Sequence, residues 1–173
     1  NELSEHARAT QAGEAVPVGE TGEIVARGSR MMAGYWQEEA ATRDTMRGGW
    51  IYTGELAMLD GDGYVFLKGR TSEIIIRDGI NIYPEEIEQL LRAQPGVAEA
   101  AVVSAPSETH GEEAVAFVVA DGPLNPRDLL AACRRQLMSY KVPAEIVVVD
   151  SLPKTVGGKI RKKELATDRK SVV

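Results

Sequence analysis

Near the far end of this 173-residue sequence, one stretch has residue types and spacing suited to chemistry. It runs Pro153-Lys154-Thr155-Val156-Gly157-Gly158-Lys159-Ile160-Arg161 and continues as Lys162-Lys163-Glu164-Leu165. The glycine pair predicts a flexible loop. Lys159 follows it directly, with basic residues behind. This presents an ammonium to an anionic oxygen, the electrostatic help that phosphoryl chemistry needs. The spacing is not that of a Walker phosphate loop, which requires G-x-x-x-x-G-K-[ST]. A lone Gly-Gly-Lys would read better as a solvated basic tail, so the residues ahead of it decide.

The elements that must position this loop follow from pattern. The first eighteen residues are polar and small, and read as an incoming or frayed segment. Strands are predicted over 23–27, 50–52, 55–59 and 64–68, with a short surface helix over 37–46. Asp60-Gly61-Asp62-Gly63 is a hairpin turn signal. A buried strand is expected over 73–77 around Ile74-Ile75-Ile76, followed by an Asp78-Gly79 turn. Pro84 suits the first turn of a helix whose dipole favours Glu85, Glu86 and Glu88, with Ile87, Leu90 and Leu91 on its apolar face. Strands over 97–104 and 113–120, a helix from Pro126 carrying Leu129, Leu130, Cys133 and Leu137, and a strand over 145–149 complete the pass. From Glu73 onward the order is β-α-β-β-α-β, an α+β arrangement with helices against one sheet. The boundary is placed at Gly69 to Ser72, giving a β-rich part over 1–70 and a smaller α+β domain over 71–173.

Composition narrows the function classes. Hydrophobic content of 43% and charged content of 27% are those of a globular chain. The net charge of −6 argues against binding nucleic acid through bulk charge. Cys133 is the only cysteine, so no intramolecular disulfide can form. His6 and His110 are far apart, which argues against a zinc site, and no metal ligands are identified. No apolar run approaches the roughly 20 residues of a bilayer span. A cytoplasmic protein is the expectation.

The Lys159 loop is preceded by an ordered series of motifs. Gly22-Glu23-Ile24-Val25-Ala26-Arg27-Gly28 runs to Met32-Ala33-Gly34-Tyr35-Trp36. Next come Gly49-Trp50-Ile51-Tyr52-Thr53-Gly54-Glu55-Leu56 and Asp60-Gly61-Asp62-Gly63-Tyr64. Gly69-Arg70 leads to Asp78-Gly79-Ile80-Asn81-Ile82-Tyr83-Pro84-Glu85-Glu86-Ile87-Glu88, and Tyr140-Lys141-Val142-Pro143 stands before the loop. In this order, over about residues 13 to 166, they resemble the C-terminal motif series of the adenylate-forming (AMP-binding) superfamily. The sequences around Asn81 and Tyr140 look more like acyl-CoA synthetases than peptide-synthetase adenylation domains.

The resemblance implies an enzyme that joins a carboxylic acid to AMP using ATP and Mg²⁺, then passes the acyl group to CoA. It implies that residues 1–70 end a large domain and that 71–173 form a small mobile one. By the same likeness Lys159 is the catalytic lysine of the adenylation step. Glu55 stands where the family has an Asp that accepts the ribose hydroxyls, and Arg70 matches an arginine that also contacts the ribose. On the residues alone, Glu55 and Arg70 read as an exposed salt-bridged pair. Ser72 falls at the hinge, where the family more often has Asp or Lys. Gly79 matches a glycine beside the pantetheine path, though a turn explains it as well, and Lys141 is a candidate for the CoA phosphates or a solvated lysine. Some members carry a lysine where this chain has Ile76. The family's phosphate loop and acyl pocket lie upstream of the motifs present here. The expectation is therefore a C-terminal fragment of an acyl-CoA synthetase, inactive alone. The alternatives are a non-catalytic binding or dimerisation module, a homodimer included, or a fragment of a peptide-synthetase adenylation domain.

Overall fold

In the computed structural model, residues 5–9 and 13–168 are described. They divide into two compact units, Asn1–Ser72 and Glu73–Val173.

The first unit is built on one long strand. β1 (Glu5–Ala9), β2 (Thr21–Arg27), β3 (Met46–Arg47), β4 (Trp50–Leu59) and β5 (Val65–Arg70) form an antiparallel sheet, with α1 (Glu39–Thr45) before β3. β4 pairs with β2 along one edge; along the other it pairs with β3 near its start and β5 near its end. The sequence pattern breaks at Thr53-Gly54, which predicts two brief strands. Instead β4 continues through a bulge, because Glu23 faces Leu56 while Val25 faces Tyr52. Side chains hold the bulge. The Gly54 N–H donates to Glu23 Oε1 at 2.7 Å, and the Thr53 hydroxyl donates to the Ile24 carbonyl at 2.7 Å. Gly54 has φ +74°, a conformation that glycine adopts without a Cβ penalty. β1 overturns the reading of residues 5–9 as a frayed end: it is recruited by backbone pairing to β2, which a polar, non-alternating segment does not announce. Residues 1–4 and 10–12 lie outside the described residues.

In the second unit, β6 (Ile75–Arg77) and β7 (Ile80–Ile82) precede α2 (Pro84–Arg92), β8 (Val97–Ser107), β9 (Gly111–Ala120), α3 (Pro126–Gln136), β10 (Glu145–Val149) and α4 (Lys162–Asp168). The order is thus β-β-α-β-β-α-β-α, with β7 and α4 added to the expected series. Three-residue strands are too short to show alternation, and α4 carries one large apolar residue in a charged segment, so neither has a periodic signal. β8 pairs antiparallel with β9, and β10 pairs parallel with β9. The sheet is covered on both faces. Ala100, Val102, Ala114, Ala116 and Val118 face Ile87 and Leu91 of α2 and Leu129 and Cys133 of α3. Ala101, Val103, Val115 and Phe117 face the other way, against Leu152 and Leu165 of α4. Both sets alternate along the strands, so β8 and β9 read as continuous apolar runs. Of the triple isoleucine only Ile75 is fully buried; Ile76 is half exposed.

Candidate functional site

The Lys159 loop is a hydrogen-bonded hairpin rather than the free glycine loop its sequence predicts. Lys154 and Ile160 form an antiparallel bridge. Thr155 braces the turn from both sides: its N–H donates to the Lys159 carbonyl at 2.8 Å, and its own carbonyl accepts from the Gly158 N–H at 2.9 Å. Its hydroxyl accepts from the Lys159 N–H at 3.2 Å. Gly158 sits at φ +82°, so the second glycine serves the turn. At the base, the Arg161 N–H donates to the Pro153 carbonyl at 2.8 Å, beside buried Leu152.

Charge is distributed unevenly around this hairpin. Lys154 pairs with Glu99 at 2.7 Å, and Arg161 pairs with Glu164 at 2.7 Å. Lys162 reaches Glu73 at 2.6 Å and Glu88 at 2.7 Å. Lys159 is exposed and has no carboxylate partner among the described residues. The basic cluster is therefore mostly neutralised, and its exposed tip carries an ammonium that an incoming anion can take without displacing a carboxylate.

The Glu88 cluster corrects the reading of that residue as a helix-dipole glutamate. Glu88 is only 3% exposed. One of its oxygens accepts from the Val102 N–H at 2.7 Å and from Lys162, and Arg92 lies 3.8 Å from the other. β8 pairs with β9 alone among the described strands, so the Glu88 carboxylate satisfies a backbone donor on the open edge of β8. Burial pushes the Glu88 carboxyl above its usual range, against the opposing pull of Lys162 and the Val102 N–H. Burial also works against the Lys162 ammonium, but Glu88 and Glu73 outweigh it and hold its proton more tightly than usual. The trio is invisible in local sequence, since Lys162 and Glu73 are 89 positions apart. One signal was available: Glu88 shares the helix face of Pro84 and Leu91, at i+4 and i+3, and a glutamate on a core-facing stripe needs a partner.

In the first unit, Glu55 and Arg70 are cross-strand neighbours on β4 and β5, with Arg70 Nε 2.9 Å from Glu55 Oε1. Both are substantially exposed, so a ligand could compete for either group. Glu55 directly follows the Gly54 bulge, and its N–H donates to the Thr53 hydroxyl at 3.2 Å. An open cleft of about 560 Å³ adjoins the bulge, lined by Tyr35, Arg47, Tyr52, Thr53, Gly54 and Thr71 among others. Arg47 lies over the Tyr52 ring at 3.8 Å, which fixes one wall by cation–π attraction.

The remaining candidates have defined local settings. Ser72 is exposed in the one-turn 3-10 helix Thr71–Glu73, where the chain passes from one unit to the other. Gly79 closes the β6–β7 hairpin at φ +77°, following Asp78 at φ +52°. A Cβ on Gly79 would meet nothing within 4 Å, so backbone conformation demands the glycine here rather than space. Asp78 is held by His110, whose carbonyl accepts the Asp78 N–H at 3.0 Å and whose Nδ1 lies 2.9 Å from the Asp78 carboxylate. Lys141 is not the solvated lysine allowed by the sequence: its ammonium meets Glu86 of α2 at 2.7 Å and is largely covered. The structure thus joins Glu55 to Arg70 and Lys141 to Glu86, and leaves Lys159 unpaired among the described residues. Among the described residues no group of three or more His, Cys, Asp or Glu could hold a metal ion, and no helix is long and apolar enough to cross a membrane.

Residues 86–159 match the family described as the AMP-binding enzyme C-terminal domain. The long-chain-fatty-acid–CoA ligase of Escherichia coli is 40% identical over 159 residues, 91% of this chain and 28% of that protein. The feruloyl-CoA synthase of an Amycolatopsis species is 45% identical over 155 residues, 88% of this chain and 32% of that protein. The crystal structure of ATP-bound MatB from Rhodopseudomonas palustris superposes with a TM-score of 0.91 at 32% identity, covering 98% of this chain and 34% of that one. The chain therefore spans about a third or less of the length of each of these three proteins.

Proposed function

Because the chain belongs to the adenylate-forming enzymes that carry the AMP-binding C-terminal domain, we propose that it serves as the C-terminal part of an ATP-dependent carboxylic acid–CoA ligase. In the first half-reaction a substrate carboxylate oxygen attacks the α-phosphorus of ATP, which enters as its Mg²⁺ complex, and pyrophosphate leaves. In the second, the CoA sulfur attacks the acyl carbonyl, AMP departs and the thiol proton passes to solvent.

The single observation that carries this reading is the exposed Lys159 ammonium, without a carboxylate partner among the described residues, at the tip of a braced hairpin. A cation carried on a braced backbone offsets charge developing on the oxygen between acyl carbon and phosphorus. Lys159 is accordingly the catalytic residue of adenylation. Glu55 accepts hydrogen bonds from the ribose hydroxyls with Arg70 beside it, and the Glu55–Arg70 bond keeps that carboxylate oriented before nucleotide arrives. Ser72 is the hinge between half-reactions, supported by its place between the two units. The Asp78-Gly79 turn borders the CoA arm. Lys141 serves CoA phosphate only by exchanging its bond to Glu86. The setting is the cytoplasm. Relatives named for a fatty acid and for ferulate match this region at similar identity, so this part of the enzyme does not select the acyl group.

The test is ATP–pyrophosphate exchange in the complete ligase, comparing Lys159→Ala with Lys154→Ala. Loss of one preorganised donor costs about 10²- to 10³-fold. That loss is expected for Lys159→Ala, whereas Lys154, already neutralised by Glu99, should change the rate only a few-fold. Equal losses for both variants would withdraw the assignment.

A further inference from the structure

The segment that follows Lys159 is tied by ion pairs to two distant elements of the second unit through Lys162. Lys162 is the first residue of α4, three positions beyond Lys159. Its two partners come from different elements: Glu73, the first residue of the second unit, and Glu88 of α2. Glu88 is itself fixed by the Val102 N–H on β8. One turn later Leu165 is 4% exposed against the sheet face. Between Lys162 and Lys159 lie only Ile160 and Arg161, and both are committed at the hairpin base, Ile160 through its bridge to Lys154 and Arg161 through its bond to Pro153. A short path with every residue held transmits placement directly.

We infer that Lys162 is a positioning residue for Lys159. By clamping the base of the hairpin to Glu73 and Glu88, it sets where the Lys159 ammonium stands relative to α2, β8 and the start of the unit. The inference rests on the reading of Lys159 as the reacting cation. It assigns Lys162 no contact with substrate.

A structural ion pair alone would lower stability and both half-reactions together, so the test must separate placement from folding. Hydrogen exchange of the Thr155, Gly158, Lys159 and Arg161 amides is measured on the full 173-residue chain, for wild type, Lys162→Met, Lys162→Arg and Glu73→Gln. In parallel, adenylate formation and thioester formation from a supplied acyl-adenylate are measured in the complete ligase for the same variants and Lys159→Ala. Misplacing a reacting group by about 1 Å costs on the order of 100-fold. Lys162→Met should therefore speed exchange at those amides at least tenfold and slow adenylation by about 10- to 100-fold, with thioester formation within about threefold. Lys162→Arg should restore both. Glu73→Gln removes one partner and keeps the buried Glu88 bond, so it should give a smaller change of the same kind and serves if Lys162→Met does not fold. Unchanged exchange and adenylation in Lys162→Met and Glu73→Gln, with Lys159→Ala still defective, would overturn the inference and spare the reading of Lys159. Parallel loss of both half-reactions with lowered thermal stability would overturn it in favour of a structural pair. A harmless Lys159→Ala would instead defeat the functional reading, and the exchange data would still decide whether Lys162 holds the hairpin.

Discussion

Two charged clusters in this chain are built from the same side chains and treated in opposite ways. Around the hairpin tip, Lys159 is exposed and unpaired among the described residues. A few residues on, Lys162 is tucked between Glu73 and Glu88, with Glu88 almost wholly removed from water. A buried carboxylate is tolerated only when its oxygens are satisfied, so the second cluster is saturated and fixed. An exposed ammonium has little to hold it and much to gain from an anion. Chemistry is expected where charge is left available, and architecture where it is used up. Glu55 and Arg70 fall between these extremes: paired at 2.9 Å, yet open enough for a ligand to compete.

The contrast can be broken at several points. The largest effect on stability is expected at Glu88. Glu88→Ala strands the Val102 N–H and removes one partner of Lys162, and breaking a buried pair in this way costs about 3–5 kcal/mol. Chemical denaturation of the two chains checks it, and a cost below about 1 kcal/mol would mean water replaces the carboxylate freely. A smaller effect should show on the alkaline side. The ammonium of Lys162 is held above its ordinary value, so its stabilisation is complete below that value and is lost as pH rises through the folded one. Arginine stays charged throughout. The melting temperature of wild type should therefore track that of Lys162→Arg up to the ordinary lysine value of about 10.4 and fall behind it only as pH rises further, by roughly 2–4 °C for each kcal/mol lost. Parallel curves would mean that Lys162 does not titrate with unfolding. The smallest effect belongs to Glu55→Asp: AMP affinity measured by calorimetry in the complete ligase should be equal or tighter. A large weakening would show that the longer carboxylate, reaching Arg70 across the strands, is the form the site requires.

What could be read in the sequence follows the range of the interaction involved. The Asp78-Gly79 turn and the helix begun by Pro84 depend on backbone preferences of neighbouring residues, and both are found in place. Glu55 and Arg70 could be named as a pair because adjacent strands bring them face to face. The continuity of β4 was hidden, since its bulge is held by Glu23, thirty-one positions from Gly54. So was α4, whose docking depends on Leu165 and on a lysine that finds its carboxylates at the other end of the unit. The flexible loop expected from Gly157-Gly158 became a fixed hairpin through Thr155, whose hydroxyl had no apparent task in the sequence.

The central claim is that Lys159 works in one half-reaction through its charge. Single-turnover measurements on the complete ligase test it most directly, comparing wild type with Lys159→Ala for acyl-adenylate formation and, separately, for thioester formation from added acyl-adenylate. The expected result is a loss of about 10²- to 10³-fold in the first step with the second largely intact. Equal loss in both steps, or loss in neither, would contradict it.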